Sequence, residues 1–314
     1  MLHLLKAAGY LPIYGKGTDE TLKQYGDALF VRGRGESHQI DAIADYCIQP
    51  PFSNPPRLLV EAKFYDKRQV GLIVIRNAVG ILNDVCQFFI APPRRGTRKL
   101  RYHYQYAVVS ATEFSKPSQK YAYAHDVFLI PLGASSYFAG LLRAIRRVAD
   151  ELAEAFSNKD EDLMGTLRQR VRRLLADHLG GENHIDEDSL ILRKFVKACF
   201  DLNFGLIAVS ESGFPIFLVP VSGLRLSDIR DHIQVRIYRD GESWYLKDQD
   251  NRSLFSFDLP LELFALYSEG GRLSPQRALD MKRRELNEMR AIVAYGESYR
   301  IIRFSLDRSW LDAI

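Results

Sequence analysis

The sequence predicts an α/β domain with a mixed central sheet, then a helical connector, then a smaller, β-rich α+β domain. Strand and helix patterns alternate through the first part of the chain, which is typical of an α/β sheet. Two amphipathic helical segments follow, and the pattern then changes to short strands joined by turns such as Ser212-Gly213 and Asp240-Gly241. The predicted domains cover residues 1–135, 136–198 and 199–314.

Periodicity assigns the elements of the first domain. Apolar runs bounded by glycine, proline or polar turns predict strands, and apolar residues at helical spacing predict helices. The glycine turn "GRGES" (33–37) is expected to join the first two strands as a tight turn. The predicted strands are 27–33, 38–48, 57–65, 104–112 and 126–132, and the predicted helices are 72–89 and 115–125.

The connector and the C-terminal domain follow the same rules. The connector helices are predicted over 137–156 and 161–181, each with one apolar stripe. Downstream, the pattern indicates hairpins, then one long helix that begins after Ser274 with Pro275 in its first turn. A final strand, "YRIIRFSL", completes the prediction.

Composition narrows the function classes. The 314 residues are 46% hydrophobic and 26% charged, as in globular proteins. No apolar run approaches the roughly 20 residues of a membrane span, so no membrane partner is expected. Three separated cysteines suit free thiols in a reducing cytoplasm. Residues 1–157 carry 20 Lys/Arg against 14 Asp/Glu and the remainder 23 against 25, which favours a polyanionic partner for the first half.

The stretch "RLLVEAKFYD" places a carboxylate and an ammonium in an apolar strand. Glu61 and Lys63 are two residues apart, so they point to the same face. A salt bridge on a half-solvated sheet face explains such a pair without chemistry. Asp41 argues for more, because it follows Ile40 and precedes Ala42 and Ile43, where a charge is costly unless it is paired or binds a cation.

If the two strands pair so that Asp41 lies beside Glu61, two carboxylates converge. A hard divalent cation relieves their repulsion, and Mg²⁺ suits one or two carboxylates together with waters and phosphate oxygens. Lys63 would then supply a positive donor near the metal-bound water or a scissile phosphate. These residues therefore predict metal-assisted hydrolysis of a phosphodiester.

Asp41 followed by "VEAKFY" resembles the D…(D/E)-x-K motif of the PD-(D/E)XK, restriction-endonuclease-like superfamily. The segments "GRGESHQIDAIA", "VGLIVIRNAVGIL" and "YAVVSATEFSKPSQKYAYAHDVFLIPL" resemble its Mrr-like branch in the same order, over about residues 10 to 135. Ile40 stands where many members have proline, and Glu61 where many Mrr-like members have glutamine. Nothing in residues 180 to 314 resembles this superfamily.

The resemblance implies a restriction-endonuclease-like first domain in which Asp41, Glu61 and Lys63 are catalytic. Asp41 and Glu61 would bind Mg²⁺, for which Mn²⁺ would substitute, and Ala62 would add its backbone carbonyl. It also implies a nuclease acting on DNA, expected to be double-stranded, in restriction and phage defence or in repair. Such enzymes commonly work as homodimers. The helices at 136–178 could form that interface or pack on their own domain.

Other residues are candidates for nucleic-acid contact. Gln39 would share the face of Asp41 if the strand continues, and Arg76 could reach a phosphate from the following helix. The densest basic stretch, "PPRRGTRKLRYHYQ", suits sequence-independent contact with a phosphate backbone, although a solvated loop has the same composition. Its basic residues are Arg94, Arg95, Arg98, Lys99 and Arg101.

Three interpretations of the chain stay open. The first is a Mg²⁺-dependent endonuclease whose C-terminal domain selects the target, or binds a further ligand or protein. The second is a nuclease-like fold that binds nucleic acid without cutting it. The third is a partner-binding protein in which Glu61 and Lys63 form a sheet salt bridge. A divalent cation stabilises a protein that has a metal site and does not stabilise a sheet salt bridge. Stability with and without the cation therefore distinguishes the endonuclease from the partner-binding protein.

Overall fold

The computed structural model of the chain describes most of it, in two compact units. One unit comprises Met1–Pro12, Ala44–Ile48 and Asn203–Ile314, and the other comprises Ile13–Ile43 and Gln49–Leu202. The described residues are 1–26, 28–91, 101–156, 205–241, 243–295 and 298–312.

The described residues contain the following elements. The α-helices are α1 (Leu2–Ala7), α2 (Leu72–Gln87), α3 (Lys116–Ala124), α4 (Ala139–Phe156), α5 (Leu261–Tyr267), α6 (Pro275–Arg284) and α7 (Arg308–Asp312). The strands are β1 (Tyr10–Pro12), β2 (Leu22–Tyr25), β3 (Ala28–Arg32), β4 (Ser37–Ile40), β5 (Ala42–Tyr46), β6 (Pro56–Lys63), β7 (His103–Ser110), β8 (Val127–Pro131), β9 (Leu206–Ser210), β10 (Pro215–Pro220), β11 (His232–Asp240), β12 (Ser243–Lys247), β13 (Ser253–Phe257), β14 (Glu288–Tyr295) and β15 (Ser298–Leu306).

Two sheets account for the first eight strands. A five-stranded sheet has the order β1-β5-β6-β7-β8, with β6, β7 and β8 parallel and β1 antiparallel to β5. Strands β2, β3 and β4 form a separate antiparallel sheet. Helix α2 packs buried side chains such as Ile75 and Val85 into the same core as Leu59 of β6 and Tyr106 of β7. The predicted helices at 72–89 and 115–125 are confirmed as α2 and α3.

The predicted strand 38–48 is two strands, broken at Asp41. Ile40 pairs with Leu29 in the three-stranded sheet, whereas Ala44 pairs with Pro12 in the five-stranded sheet. The chain changes sheets between these residues and bends at Asp41, which leaves its side chain exposed. Strict alternation along 38–48 therefore fails, because the residues on either side of the bend belong to different pleats.

The glycine turn that joins β3 to β4 docks on α2. The Asp84 carboxylate accepts hydrogen bonds from the Gly35 and Glu36 backbone N–H groups, at 2.8 and 3.2 Å, and its Oδ2 lies 2.7 Å from His38 Nε2. The hydrogen bond with His38 lowers the pKa of Asp84, although the little burial present acts to raise it. A Cβ on Gly33 would lie 1.9 Å from Asp84 Oδ2, so this close approach requires glycine. The turn thereby ties β4, which leads into Asp41, to α2.

The predicted fold class is wrong. Residues 205–312 do not form a small α+β domain of separate hairpins. Their seven strands form a closed barrel in the order β10-β13-β12-β11-β15-β14-β9, and upstream two sheets replace the expected single central sheet. The hairpins around Ser212-Gly213 and Asp240-Gly241 are confirmed, but they are parts of this barrel.

Strand β14 explains the error. The sequence analysis predicted no strand between the helix after Ser274 and the final strand, whereas α6 ends at Arg284 and β14 begins at Glu288. Strand β14 pairs with β15 along its whole length and with β9 on its other side. Because it bridges these two strands, it closes a sheet that would otherwise have two free edges. The Ser274 N-cap is confirmed, with its hydroxyl accepting from the Arg277 backbone N–H.

The first connector helix is confirmed as α4, preceded by a 3₁₀ turn at Ser136–Phe138. The second predicted helix, 161–181, and the predicted boundary between residues 198 and 199 lie outside the described residues. In the part of the chain that the structure describes, no helix combines the length and apolarity needed to cross a membrane.

Candidate functional site

Glu61 and Lys63 lie at the C-terminal end of β6 and form an ion pair. Glu61 Oε1 contacts Lys63 Nζ, and both side chains are partly exposed, at 22% and 27%. Strand β6 pairs in parallel with β7, with Lys63 opposite Ser110, so the pair lies where two parallel strands end. Ligands of α/β proteins commonly bind at the carboxyl ends of parallel strands. The predicted same-face placement of Glu61 and Lys63 agrees with their contact.

Asp41 joins this pair from the bend between β4 and β5. Its Oδ2 accepts a hydrogen bond of 2.8 Å from the backbone N–H of Ala62, the residue between Glu61 and Lys63. The expectation that Asp41 lies in an apolar setting is wrong, because its side chain is exposed although Ile40 and Ala42 are buried. Asp41 therefore incurs no burial penalty that a cation would have to offset, and the contact with Ala62 is what brings its carboxylate to the end of β6.

The charges of the three residues act on one another. Partial burial tends to lower the pKa of Lys63, but the hydrogen bond to Glu61 and the negative charges of Glu61 and Asp41 outweigh it, so the pKa is raised. Lys63 is therefore a cation at neutral pH. It can donate hydrogen bonds and stabilise negative charge, and it is not suited to act as a general base.

Tyr106 contributes to the site and was missed by the sequence analysis. Its hydroxyl donates to Glu61 Oε2 over 3.4 Å, and its side chain is 1% exposed. Burial raises the pKa of Tyr106, and the charges of Glu61 and Asp41 raise it further, so the hydroxyl stays protonated as a donor. The register of β6 on β7, with Leu59 opposite Tyr106, brings this hydroxyl to Glu61.

The oxygen donors fit a hard divalent cation. Asp41 and Glu61 provide two carboxylates, the number that Mg²⁺ commonly takes from a protein. Ala62 presents its N–H to Asp41, and because the N–H and C=O of one strand residue point to the same strand edge, its carbonyl also faces that side. Among the described residues, no group of three or more His, Cys, Asp or Glu side chains is gathered into a metal site. The candidate site relies instead on two side chains and a carbonyl.

An open groove of about 310 Å³ lies next to Lys63. Its lining includes Lys67, Gln69, Ala111, Thr112 and Glu113. The Ala111 N–H donates to the Lys63 carbonyl at 3.0 Å, so one lining residue contacts the backbone at the end of β6. Gly133 completes the lining, where a Cβ would lie 2.3 Å from the Ala111 carbonyl oxygen. The groove offers space for a substrate near the end of β6, although Asp41, Glu61 and Lys63 are not among its lining residues.

The other candidates are placed less favourably. Gln39 is exposed on β4, and no hydrogen bond links it to Asp41 or Glu61 within the described ranges. Arg76 is exposed on α2 with its guanidinium 5.8 Å from the Tyr121 ring centre. Arg101 is exposed and donates to the Cys86 carbonyl at 2.6 Å. The remaining basic candidates, Arg94, Arg95, Arg98 and Lys99, lie outside the described residues.

Replacing Tyr106 by phenylalanine tests whether its hydroxyl orients Glu61. The ring fills the same space, so the fold should persist, while Glu61 loses a donor that holds one of its oxygens. We expect Mn²⁺ affinity, measured by isothermal titration calorimetry, to fall roughly tenfold. Tyr104→Phe is the matched control, because Tyr104 is buried on the same strand but interacts with Thr21. Equal Mn²⁺ affinities of the two variants would contradict the role assigned to Tyr106.

Comparisons with known proteins add little. No family model and no curated protein matches the chain. Among solved structures it is similar to the crystal structure of a protein of unknown function, AF1548, at 15% identity and a TM-score of 0.34, over 64% of this chain and 94% of that one. A similarity of this size carries no argument about fold or function.

Proposed function

We propose that this protein is a metal-dependent nuclease that hydrolyses phosphodiester bonds with Asp41, Glu61 and Lys63. The supporting observation is that residue 41 and residues 61–63 meet at the end of β6. Two carboxylates, a carbonyl and a lysine are the donor set of the PD-(D/E)XK superfamily, which the first part of the chain resembles. The ion pair alone is equally compatible with a sheet salt bridge, so the contact of Asp41 with Ala62 carries the distinction.

Asp41, Glu61 and the carbonyl of Ala62 would hold Mg²⁺, and Mn²⁺ is expected to replace it. The bound ion would lower the pKa of a water molecule and neutralise charge on the phosphate. Tyr106 keeps Glu61 oriented through its hydrogen bond. Lys63, protonated and next to Glu61, would donate to the phosphate oxygens as negative charge develops on them.

The proposed substrate is double-stranded DNA, in defence against foreign DNA or in repair. The net charge of +6 on residues 1–157 supports a polyanionic substrate for this part of the chain. A homodimer with one site per strand would make a double-strand cut. Sedimentation of the protein with and without a DNA duplex measures that stoichiometry.

Cleavage of labelled nucleic acids tests the proposal. The panel comprises linear and supercoiled duplex DNA, single-stranded DNA and RNA, each with Mg²⁺, Mn²⁺ or EDTA. We expect duplex DNA to be cut with either metal and to stay intact in EDTA. If the protein binds nucleic acid and cuts none of it, the binding-protein interpretation replaces the nuclease.

Metal binding can be measured independently of cleavage. If Asp41 and Glu61 hold the ion, Mn²⁺ at 100 times its Kd should stabilise the protein by about 2.7 kcal/mol. Scanning calorimetry of the wild type should show this as a raised Tm, and Asp41→Asn should abolish the shift. The substituted amide oxygen can still accept from Ala62, so local structure is retained. No metal-induced shift in the wild type would favour the sheet salt bridge.

A further inference from the structure

A groove of about 440 Å³ on the barrel has the features of a second binding site. It lies over the strands β11, β15 and β14 and the segment that follows β15. Along β15, Phe304 and Leu306 are buried in the barrel core, so the alternate residues Arg303 and Ser305 point to the outer face. The lining consists of His232, Gln234, Gln249, Asn287, Glu288, Arg303, Ser305, Leu306, Asp307, Arg308 and Ser309.

The carboxylates of the groove are already neutralised. Asp307 is 5% exposed, and its Oδ2 lies 3.0 Å from Arg236 Nε. Glu288 is bracketed by two guanidinium groups, those of Arg290 and Arg303, which lower its pKa through their hydrogen bonds.

Arg308 adds a further positive charge at the edge of the groove. Its side chain is exposed and forms no ion pair with any residue that the structure describes. The lining itself holds two arginines and two carboxylates, and the carboxylates are also paired with Arg236 and Arg290, which do not line the groove. The groups in and around the groove therefore carry four positive charges against two negative ones. Such a surplus on a concave surface favours an anionic ligand.

Hydrogen-bonding side chains other than carboxylates and guanidinium groups also line the groove. His232 Nε2 lies 2.9 Å from Ser305 Oγ, and the side-chain amides of Gln234 and Gln249 are hydrogen-bonded to each other. Asn287 adds a third amide. The described lining contains no aromatic ring apart from the His232 imidazole, so it offers little surface on which a base could stack. A phosphate ester with sugar hydroxyls matches these groups better than an isolated base does.

We propose that this groove binds a phosphate ester of nucleotide size, held by Arg303 and Arg308 through its phosphate. Arginine is suited to this role because its planar donors match phosphate oxygens. A nucleotide within a nucleic-acid strand and a free nucleotide present the same group. The site is separate from Asp41, Glu61 and Lys63 and does not depend on cleavage by them.

Binding in EDTA tests this proposal without interference from cleavage. The probes are a fluorescein-labelled 12-nucleotide single strand, followed by anisotropy over a range of salt concentrations, and deoxyadenosine monophosphate, followed by calorimetry. For the full-length Arg303→Ala/Arg308→Ala variant we expect roughly tenfold weaker binding of at least one probe. For the strand, the slope of log affinity against log salt should fall by about 1 for each phosphate that the variant no longer neutralises.

Control variants separate the groove from folding and from general charge. Arg252→Ala removes an arginine from an exposed turn of the same barrel, where it pairs with Asp248, and should leave binding unchanged. Arg303→Lys/Arg308→Lys keeps the charge and should restore part of the affinity. Both tryptophans, Trp244 and Trp310, belong to this unit, so their emission reports whether the barrel is folded.

Each outcome decides the proposal. Weaker binding of the strand alone identifies a nucleic-acid backbone as the ligand, and weaker binding of the mononucleotide identifies a free nucleotide. Equal affinity and equal salt slope in the alanine variant and the wild type would overturn the proposal, as would a wild type that binds neither probe. A protein that binds here but never cuts DNA would support the groove while the proposed nuclease fails.

Discussion

Lys63→Ala and Asp41→Asn are each expected to lower metal-dependent cleavage by roughly 10²- to 10³-fold, the usual loss when one charge-stabilising group leaves an active site. Removing Lys63 takes away the cation beside Glu61, so charge on the phosphate is no longer balanced. Asp41→Asn removes one carboxylate from the metal ligands but retains an acceptor for the Ala62 N–H. The two variants should therefore fail for different reasons while both stay folded.

Single-turnover cleavage at several metal concentrations distinguishes the two variants. Raising Mn²⁺ should recover part of the activity of Asp41→Asn, whose defect is metal affinity, and none of the activity of Lys63→Ala. Lys120→Ala is the matched control, because Lys120 is an exposed lysine on α3 in the same unit. Cleavage by Lys63→Ala at the rate of Lys120→Ala would remove Lys63 from the mechanism.

Arg57→Ala is expected to produce the largest loss of stability. Arg57 is 1% exposed at the start of β6, where its guanidinium donates to Thr21 Oγ1 and pairs with Asp19, both at 2.8 Å. The Tyr102 ring centre lies 3.6 Å from its Cζ. Breaking a buried pair by removing one partner costs about 3 to 5 kcal/mol, because the other charge stays behind. Asp19 remains 18% exposed and can be hydrated, which favours the lower end of that range.

Hydrogen–deuterium exchange of β6 and β7 measures this loss. Tryptophan emission does not, because both tryptophans belong to the barrel unit. Arg34→Ala is the control, since Arg34 is exposed and makes a hydrogen bond to Gln87, and its cost should stay within about 0.5 kcal/mol. Equal exchange in the two variants would show that the buried arginine contributes no net stability.

The Asp19–Arg57 pair also predicts a pH dependence. Burial acts to raise the pKa of Asp19, but the hydrogen bonds from Thr21 and the charge of Arg57 outweigh it, so the pKa is lowered. A carboxyl group whose pKa is lower in the folded state than in the unfolded state stabilises the fold at any pH above its unfolded-state pKa, which is about 3.9 for Asp. This stabilisation is lost as the pH falls through the folded-state pKa. The difference in stability between wild type and Arg57→Ala should therefore narrow below about pH 4.

Local patterns predicted the parts of the site that lie close together in the sequence. Glu61 and Lys63 share a face because side chains alternate along any strand, whatever that strand pairs with. The bounds of α2 and α3 were predictable for the same reason, since helical periodicity and the Ser115 cap act within a few residues. Asp41 was predicted as a partner from its apolar neighbours, an assumed register and the family resemblance, and none of these gives its position relative to Glu61.

Contacts between segments that are far apart in the sequence could be identified only from the tertiary structure. The hydrogen bond from Ala62 to Asp41 depends on a change of sheets at the bend, and the role of Tyr106 depends on the register of β6 on β7. The burial of Arg57 likewise depends on the packing of Asp19 and Tyr102 around it. Each of these contacts joins segments that are far apart in the chain, beyond the reach of any periodic pattern.

The sequence by itself determined most of the individual strands and helices, the shared face of Glu61 and Lys63, and the charge difference between the two parts of the chain. The tertiary structure decided that β14 closes a barrel, that Asp41 is exposed at a bend, and that Arg303 and Arg308 line one groove. The physical reason is the distance along the sequence over which each interaction acts. Propensity, capping and alternation act over a few residues, whereas strand order and closure depend on the pairing free energy of segments that are distant in sequence.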